Sequence, residues 1–270
     1  MLTVGRFAPS PTGPLHFGSL VTATASYLAA RQARGRWLLR IEDLDKPREQ
    51  PRAAADIIQT LHAYGFEWDG DILYQSQRQD AYHVALAQLE AHTYPYARSR
   101  KNLPTLPAIR VRTHEQPICF NDSIQGNYCQ RLSHDVGDFV LLRADGLFAY
   151  QLAVVVDDAF QGVNQVVRGA DLLDNTPRQI WLQQLLGLPQ PHYAHVPLVL
   201  NEFGQKLSKQ NLAPALNTNA RLQTLVAALH FLKQPCPDAH EFSSLSACWD
   251  WAIAHWDVTA CVRPGSQPSD

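Results

Sequence analysis

Apolar and polar positions change period twice within the first forty residues. Leu2-Thr3-Val4-Gly5-Arg6-Phe7 reads as a short strand, broken by Pro9, Pro11, Gly13 and Pro14. From His16 to Ala33 no proline occurs and Ala, Leu and Ser dominate, as in a helix buried on most sides. Gly35 closes that helix, where a left-handed cap costs glycine little. Trp37-Leu38-Leu39-Arg40-Ile41 predicts a second strand. Strand, helix and strand at this spacing predict a βαβ unit and a parallel sheet. Two further helices are predicted, from Arg52 to Tyr64 and from Ser76 to His92.

Between Tyr94 and Gly146 helical periodicity disappears. Ala108-Ile109-Arg110-Val111-Arg112 and Phe139-Val140-Leu141-Leu142-Arg143 predict an α+β insertion of antiparallel character. The apolar run Tyr150-Gln151-Leu152-Ala153-Val154-Val155-Val156 predicts a strand buried on both faces, ending at Asp157-Asp158. Gln165 to Gly169 predicts another strand, leading into a helix from Thr176 to Leu185. Beyond Leu200 a glycine-containing loop precedes helical pieces to about Trp256, and the tail from Arg263 is expected to fray.

With 270 residues, 46% of them apolar and 18% charged, the chain has material for one or two domains with ample core. Prolines close behind Met1 leave no room for a signal peptide, and no run of 18 apolar residues offers a transmembrane helix. The five cysteines (Cys119, Cys129, Cys236, Cys248, Cys261) are odd in number and widely spaced. They support neither a disulfide framework nor a zinc knuckle, so a reducing cytoplasm is the simplest setting. A net charge of −2 argues against a uniformly basic surface, so any RNA contact must be local. Local candidates are Arg31, Arg34, Arg36 and Arg40, then Arg98, Arg100, Lys101, Arg110 and Arg112, although such runs are more often solvated surface.

Two elements carry candidate chemistry. Pro9-Ser10-Pro11-Thr12-Gly13-Pro14-Leu15-His16-Phe17-Gly18-Ser19 lies at a strand-to-helix turn, where small residues and a helix N-terminus favour a nucleotide phosphate. Gly204-Gln205-Lys206-Leu207-Ser208-Lys209-Gln210 places two ammonium groups three residues apart, a spacing suited to a triphosphate. Each alone is weak: a histidine at a helix start is usually structural, and a lysine loop is usually solvated.

Together they resemble the HIGH and KMSKS signatures of class I aminoacyl-tRNA synthetases. Arg6-Phe7-Ala8-Pro9-Ser10-Pro11-Thr12-Gly13, Arg40-Ile41-Glu42-Asp43-Leu44-Asp45 and Arg168-Gly169-Ala170-Asp171 are similar to the glutamyl branch, in order from about Thr3 to Asn211. The resemblance implies a Rossmann-like doubly wound core (1–93 and 147–200) split by an inserted acceptor-binding-like subdomain (94–146). A lysine loop and a short helical C-terminal stem-contact region (201–270) would follow. It implies ATP held by Thr12, His16, Gly18, Ser19, Lys206, Ser208 and Lys209, with His16, Lys206 and Lys209 catalytic and Mg²⁺ bound transiently. Glutamate would be held by Arg6, Phe7, Ala8, Pro9, Ser10, Glu42, Tyr150 and Arg168, the last two from the second half of the sheet. An arginine fork matches a planar carboxylate, and Glu42 suits the substrate ammonium. Asp43, Asp45, Asp157 and Asp158 are left between site and loop-ordering roles.

Full-length glutamyl enzymes continue into anticodon-reading helical domains, whereas few residues follow Lys209 here. This plan, with Gln161 to Asp174 and Lys206-Leu207-Ser208-Lys209-Gln210-Asn211, resembles the glutamyl-queuosine tRNA(Asp) synthetases. The implied partners are L-glutamate, ATP and queuosine-modified tRNA(Asp), with no membrane, and the chain is expected to act as a monomer. Members of that subfamily carry zinc in the insertion, beginning at a Cys-x-Cys pair. Tyr96 and Arg98 stand there instead, and Cys119 and Cys129 do not supply the ligands, so no zinc is expected. The alternatives are a minimal glutamyl-tRNA synthetase charging a 3′ end, a small-molecule nucleotidylyltransferase, and a non-catalytic binding module.

Overall fold

In the computed structural model, which describes residues 1–97, 107–200, 204 and 213–262, β1 (Val4–Phe7) and β2 (Arg36–Ile41) run parallel, with Val4 opposite Arg36. The helix between them, α1 (Phe17–Gln32), is buried at almost every position from Leu20 to Ala30. Its alanines let the sheet come close: a Cβ on Gly5 would lie 3.3 Å from the Cβ of Ala30. Gly35 does not serve as the left-handed cap expected of it. Arg34 takes that conformation at φ 51°, and Gly35 is glycine because a Cβ there would meet the Thr3 carbonyl oxygen at 2.3 Å.

The short strand β3 (Leu73–Tyr74) extends this sheet beyond β2. A second sheet has the order β7 (Gly126–Gln130), β6 (Ile118–Asp122), β10 (His192–Val196), β9 (Gln165–Gly169), parallel except for the β6–β7 hairpin. At its β9 edge it abuts β1, where the Asn164 amide nitrogen donates to the Val4 carbonyl at 3.1 Å and the Asn164 Oδ1 accepts from the Val4 amide at 2.8 Å. Helices cover both faces. On one, α1, α2 (Ala53–Ala63), α7 (Arg221–Phe231) and α8 (Leu245–His255) share a core with Trp37, Leu39 and Ile41. On the other, α3 (Gln79–Gln88), α5 (Tyr150–Phe160) and α6 (Thr176–Leu186) pack with Leu38, Val166 and Tyr193. Alternate residues of β2 thus serve opposite layers, the doubly wound arrangement expected.

One element has the wrong type in the sequence reading. Residues 150–156 are not a strand; they open α5. An apolar run with no period fits a fully buried strand and a buried helix equally well. The helical turn carries Asp157 and Asp158 to two different neighbours, which a strand would have sent to opposite faces.

Within 94–146 the antiparallel expectation holds for β4 (Thr93–Tyr96), β5 (Ala108–Val111) and β8 (Phe139–Leu142), which form a small antiparallel sheet. It does not hold for β6, which pairs parallel with β10 and carries the β6–β7 hairpin into the second sheet. A four-residue helix, α4 (Leu132–Asp135), precedes β8. The expectation of no disulfide is overturned: Cys119 and Cys129, directly opposite on β6 and β7, are bonded. Spacing of ten in sequence gave no hint of this, because hairpin register decides it.

Candidate active site

Two cavities lie side by side at the C-terminal ends of β1, β2, β9 and β10, where the two sheets meet. Parallel α/β sheets place their ligand crevices at such a switch point. The first, about 670 Å³, is lined by Arg6, Glu42, Tyr150 and Arg168. The second, about 320 Å³, is lined by Pro9, Thr12, His16, Gly18 and Ser19, with Pro197 and Leu198 as an apolar wall. Phe7, Ala8, Ser10, Thr22, Gly169 and Asp171 border both. The structure therefore brings together every described residue singled out for the two ligands, with Pro9 on the nucleotide side. Lys206, Ser208 and Lys209 lie outside the described residues.

The first cavity rests on buried charge. The Asp158 carboxylate accepts from Arg6 Nε at 3.2 Å and from Arg40 Nη1 at 2.8 Å. Arg40, fully buried, also donates to Glu42 Oε1 at 3.3 Å and Gln161 Oε1 at 2.9 Å. Burial pushes the Glu42 carboxyl up, against the opposing pull of Arg40 and Arg6. Asp158 goes the other way: two guanidiniums hold it below its usual value despite burial. Its neighbour Asp157 accepts from Tyr82 at 2.6 Å, Gln75 at 2.9 Å and Arg78 at 3.0 Å, tying α5 to α3. Asp43 accepts from the Ser76 amide at 2.8 Å, ordering the loop before α3, and Asp45 accepts from Arg48 Nε at 2.6 Å at the rim.

Arg168 is clamped on three sides. Its Nε donates to His195 Nε2 at 3.0 Å, its Nη2 to Thr176 Oγ1 at 2.8 Å, and its Nη1 reaches the Tyr150 hydroxyl at 3.5 Å. Tyr150 comes from the first turn of α5 and not from a strand, which corrects its expected origin. Gly169 leaves room for Asp171: a Cβ would fall 2.5 Å from its carboxylate oxygen and push that side chain aside.

His16 is the N-cap of α1. Its Nδ1 accepts from the Ser19 amide at 3.2 Å while the Ser19 hydroxyl accepts from the His16 amide at 3.4 Å, a reciprocal cap. With Nδ1 accepting, the neutral ring carries its proton on Nε2. Phe17 and Gly18 precede the first intrahelical bond, from the Leu20 amide to the His16 carbonyl at 3.0 Å, so their amides face the helix's open end.

Several residues escaped the sequence reading. Thr22 and Asp171 line both cavities, and only Asp171 had a signal, its place after Arg168-Gly169-Ala170. Asp122 and His195, behind Arg168, had none. Of the basic candidates, Arg40 is an internal counter-ion and Arg31 pairs with Asp69 at 2.8 Å. Arg110 and Arg112 lie over the Tyr96 and Tyr94 rings at 4.9 and 4.8 Å. Arg98, Arg100 and Lys101 lie outside the described residues.

Comparison with known proteins agrees with this geometry. The family described as tRNA synthetases class I (E and Q), catalytic domain, matches residues 3–106 and 90–224. A protein of Neisseria meningitidis serogroup C named glutamyl-Q tRNA(Asp) synthetase is 52% identical, covering 94% of this chain and 95% of its own. One of the same name from Thiobacillus denitrificans is 53% identical, covering 94% and 93%. The first alignment runs over 283 positions against 270 residues here, so that relative carries residues with no counterpart in this chain. In fold, the chain resembles a glutamate tRNA ligase from Elizabethkingia meningosepticum, solved with its amino acid, at a TM-score of 0.81 and 23% identity. It spans 66% of that enzyme's length.

Proposed function

The chain belongs to the class I tRNA synthetases of the E and Q branch, with the glutamyl-Q tRNA(Asp) synthetases as relatives, and from that premise we propose that it activates L-glutamate with ATP without needing tRNA and transfers the glutamyl group to queuosine in the anticodon of tRNA(Asp). Charge in the first cavity carries the proposal. Four guanidiniums (Arg6, Arg48, Arg143, Arg168) line it against three carboxylates (Glu42, Asp45, Asp171). The Arg40–Asp158 ion pair behind them is neutral as a pair, so a surplus positive charge faces an amino acid with two carboxylates and one ammonium. Arg168 keeps an N–H on each terminal nitrogen beyond those given to Thr176 and Tyr150, a fork for a planar carboxylate. Glu42 takes the ammonium, which favours its ionised form. ATP occupies the second cavity, with Thr12, His16, Gly18 and Ser19 at the helix N-terminus and Pro197 and Leu198 against the base.

A glutamate α-carboxylate oxygen then attacks the ATP α-phosphorus across the shared wall near Ser10 and Gly169. The bond to the β-phosphate oxygen breaks and pyrophosphate leaves, giving glutamyl-adenylate. His16 Nε2–H, Lys206 and Lys209 stabilise the phosphate charge, so positioning and electrostatics supply the catalysis. Mg²⁺ bound with ATP would spread that charge further, and Asp171 is the carboxylate on the second cavity's wall that could hold it. A hydroxyl of the queuosine cyclopentene diol attacks the acyl carbon, its proton passes to a phosphate oxygen, and AMP departs with the electron pair of the broken acyl–oxygen bond. Catalysis by a cytoplasmic monomer is the simplest form of this reading.

The residues present do not fit zinc. Among the described residues no group of three potential ligands occurs, Tyr96 lies under the Arg110 guanidinium, and Cys119 and Cys129 bind each other.

Radiolabelled glutamate offered with ATP to tRNA pools tests the acceptor. Label is expected on tRNA(Asp) from queuosine-competent cells and not on tRNA lacking the modification. Label that survives loss of queuosine, and disappears on periodate treatment of the terminal ribose, would place the ester at the 3′ end and overturn the acceptor assignment.

A further inference from the structure

Behind Arg168, away from the cavity, lies a buried polar chain that the reaction does not use directly. His195 on β10 is wholly buried, with Nδ1 2.5 Å from Asp122 Oδ2 on β6 and Nε2 accepting from Arg168 Nε at 3.0 Å. Asp122 is almost as buried, and its other oxygen accepts from the backbone amides of Ile124, Gln125 and His195 at 3.0, 2.9 and 3.0 Å. Both Asp122 oxygens are therefore acceptors, which fixes the His195 proton on Nδ1 and leaves the Nε2 lone pair facing Arg168. Burial and the Arg168 cation both favour the neutral ring.

From this geometry we propose that Asp122 and His195 are positioning residues for glutamate: Asp122 sets the His195 tautomer, and the Nε2 lone pair fixes the in-plane tilt of the Arg168 guanidinium. The proposal rests on the reading of Arg168 as the carboxylate fork. A guanidinium held only at its terminal nitrogens can tilt in its plane; a third contact at Nε removes that freedom. Thr176 Oγ1, which accepts from Nη2, lies 3.2 Å from the same imidazole nitrogen and completes the clamp. The β6–β7 hairpin, outside both cavities, thus reaches the substrate through one carboxylate.

Asp122→Asn tests this with almost no change in shape. The asparagine carbonyl must still accept from the three backbone amides, so its NH₂ faces His195 Nδ1 and drives the ring proton to Nε2. Two donors then confront each other at Arg168. In glutamate-dependent pyrophosphate exchange, KM for glutamate is expected to rise roughly 10- to 100-fold, the scale of one lost hydrogen bond to a charged group, with KM for ATP unchanged. Nitrogen-15 shifts of the His195 ring should report Nδ1–H in the wild type and Nε2–H in the variant. Thr176→Val, which leaves the tautomer alone, should raise KM for glutamate less and keep the wild-type shifts. A wild-type ring protonated on Nε2, or an Asp122→Asn enzyme with the flipped tautomer and unchanged KM for glutamate, would overturn the proposal. Wild-type exchange that ignores glutamate would instead sink the functional reading, while the ring shifts still judge the relay.

Discussion

Arg40 concentrates the energetic risk of the site in one side chain. Its guanidinium has no exposed surface and neutralises both Asp158 and Glu42, so its desolvation is offset by those two charges and by the Gln161 side-chain carbonyl. Removing it strands Glu42 without its ion-pair partner and leaves Asp158 to Arg6 alone. Arg40→Met, close in volume, is expected to cost about 3–5 kcal/mol of unfolding free energy, read from a urea midpoint with an unchanged slope. A loss under about 1 kcal/mol, the size of an exposed pair, would show that the carboxylates find other partners. The same residue had been a candidate RNA contact in the sequence, where only its charge was visible and not its burial.

At the scale of elements, the β6–β7 hairpin has the most to reveal. Cys119 and Cys129 are opposite each other in register and exposed, whereas Cys236, Cys248 and Cys261 are buried free thiols. Thiol titration of the protein denatured without reductant should therefore find three groups, and five after reduction. Metal analysis of the native protein should find no stoichiometric zinc. Five thiols without reductant together with one zinc per chain would mean that these cysteines are ligands and that the zinc reading is wrong. Closing this short loop is worth about 2–3 kcal/mol in a chain-entropy account, so reduction should soften the hairpin without unfolding the core.

Across the whole molecule, buried titratable groups set the acid limit of stability. His195 has a folded pKa below its ordinary 6.5, because burial and Arg168 disfavour the cation. As pH falls below 6.5, the unfolded chain takes up a proton that folded His195 refuses, and stability declines until the folded pKa is passed. Asp122 and Asp158, both held below 3.8, add a second decline in stronger acid. Glu42, raised by burial, works in the opposite sense: it disfavours the folded state as pH climbs past 4.5. Urea midpoints are expected to be flat from about pH 8 to 7 and to fall below 6.5, by at most about 1.4 kcal/mol per pH unit for one proton. Because Glu42 opposes this decline, the comparison is made against Glu42→Gln: a midpoint that holds from pH 7 to 5 in that variant as well would show that His195 ionises freely in the folded protein.

The sequence alone determined the parts whose information is local. Strand–helix–strand periodicity gave β1, α1 and β2, and the proline-rich turn before His16 marked where a nucleotide could meet a helix N-terminus. Residues matched by motif, such as Arg6, Glu42 and Arg168, then met at one crevice because a parallel sheet gathers its strand ends on one edge. Tertiary structure alone decided what depends on distant partners. The run at Tyr150 was unreadable as a helix because a segment buried on most sides has no polar period to betray its turn, and packing against α3 and α6 decided its type. Asp158 gained its role from Arg6, 152 residues away, and His195 from Asp122, 73 residues away. A carboxylate's meaning is set by what burial leaves beside it, and adjacency across such separations is created only when the sheets and helices close around the core.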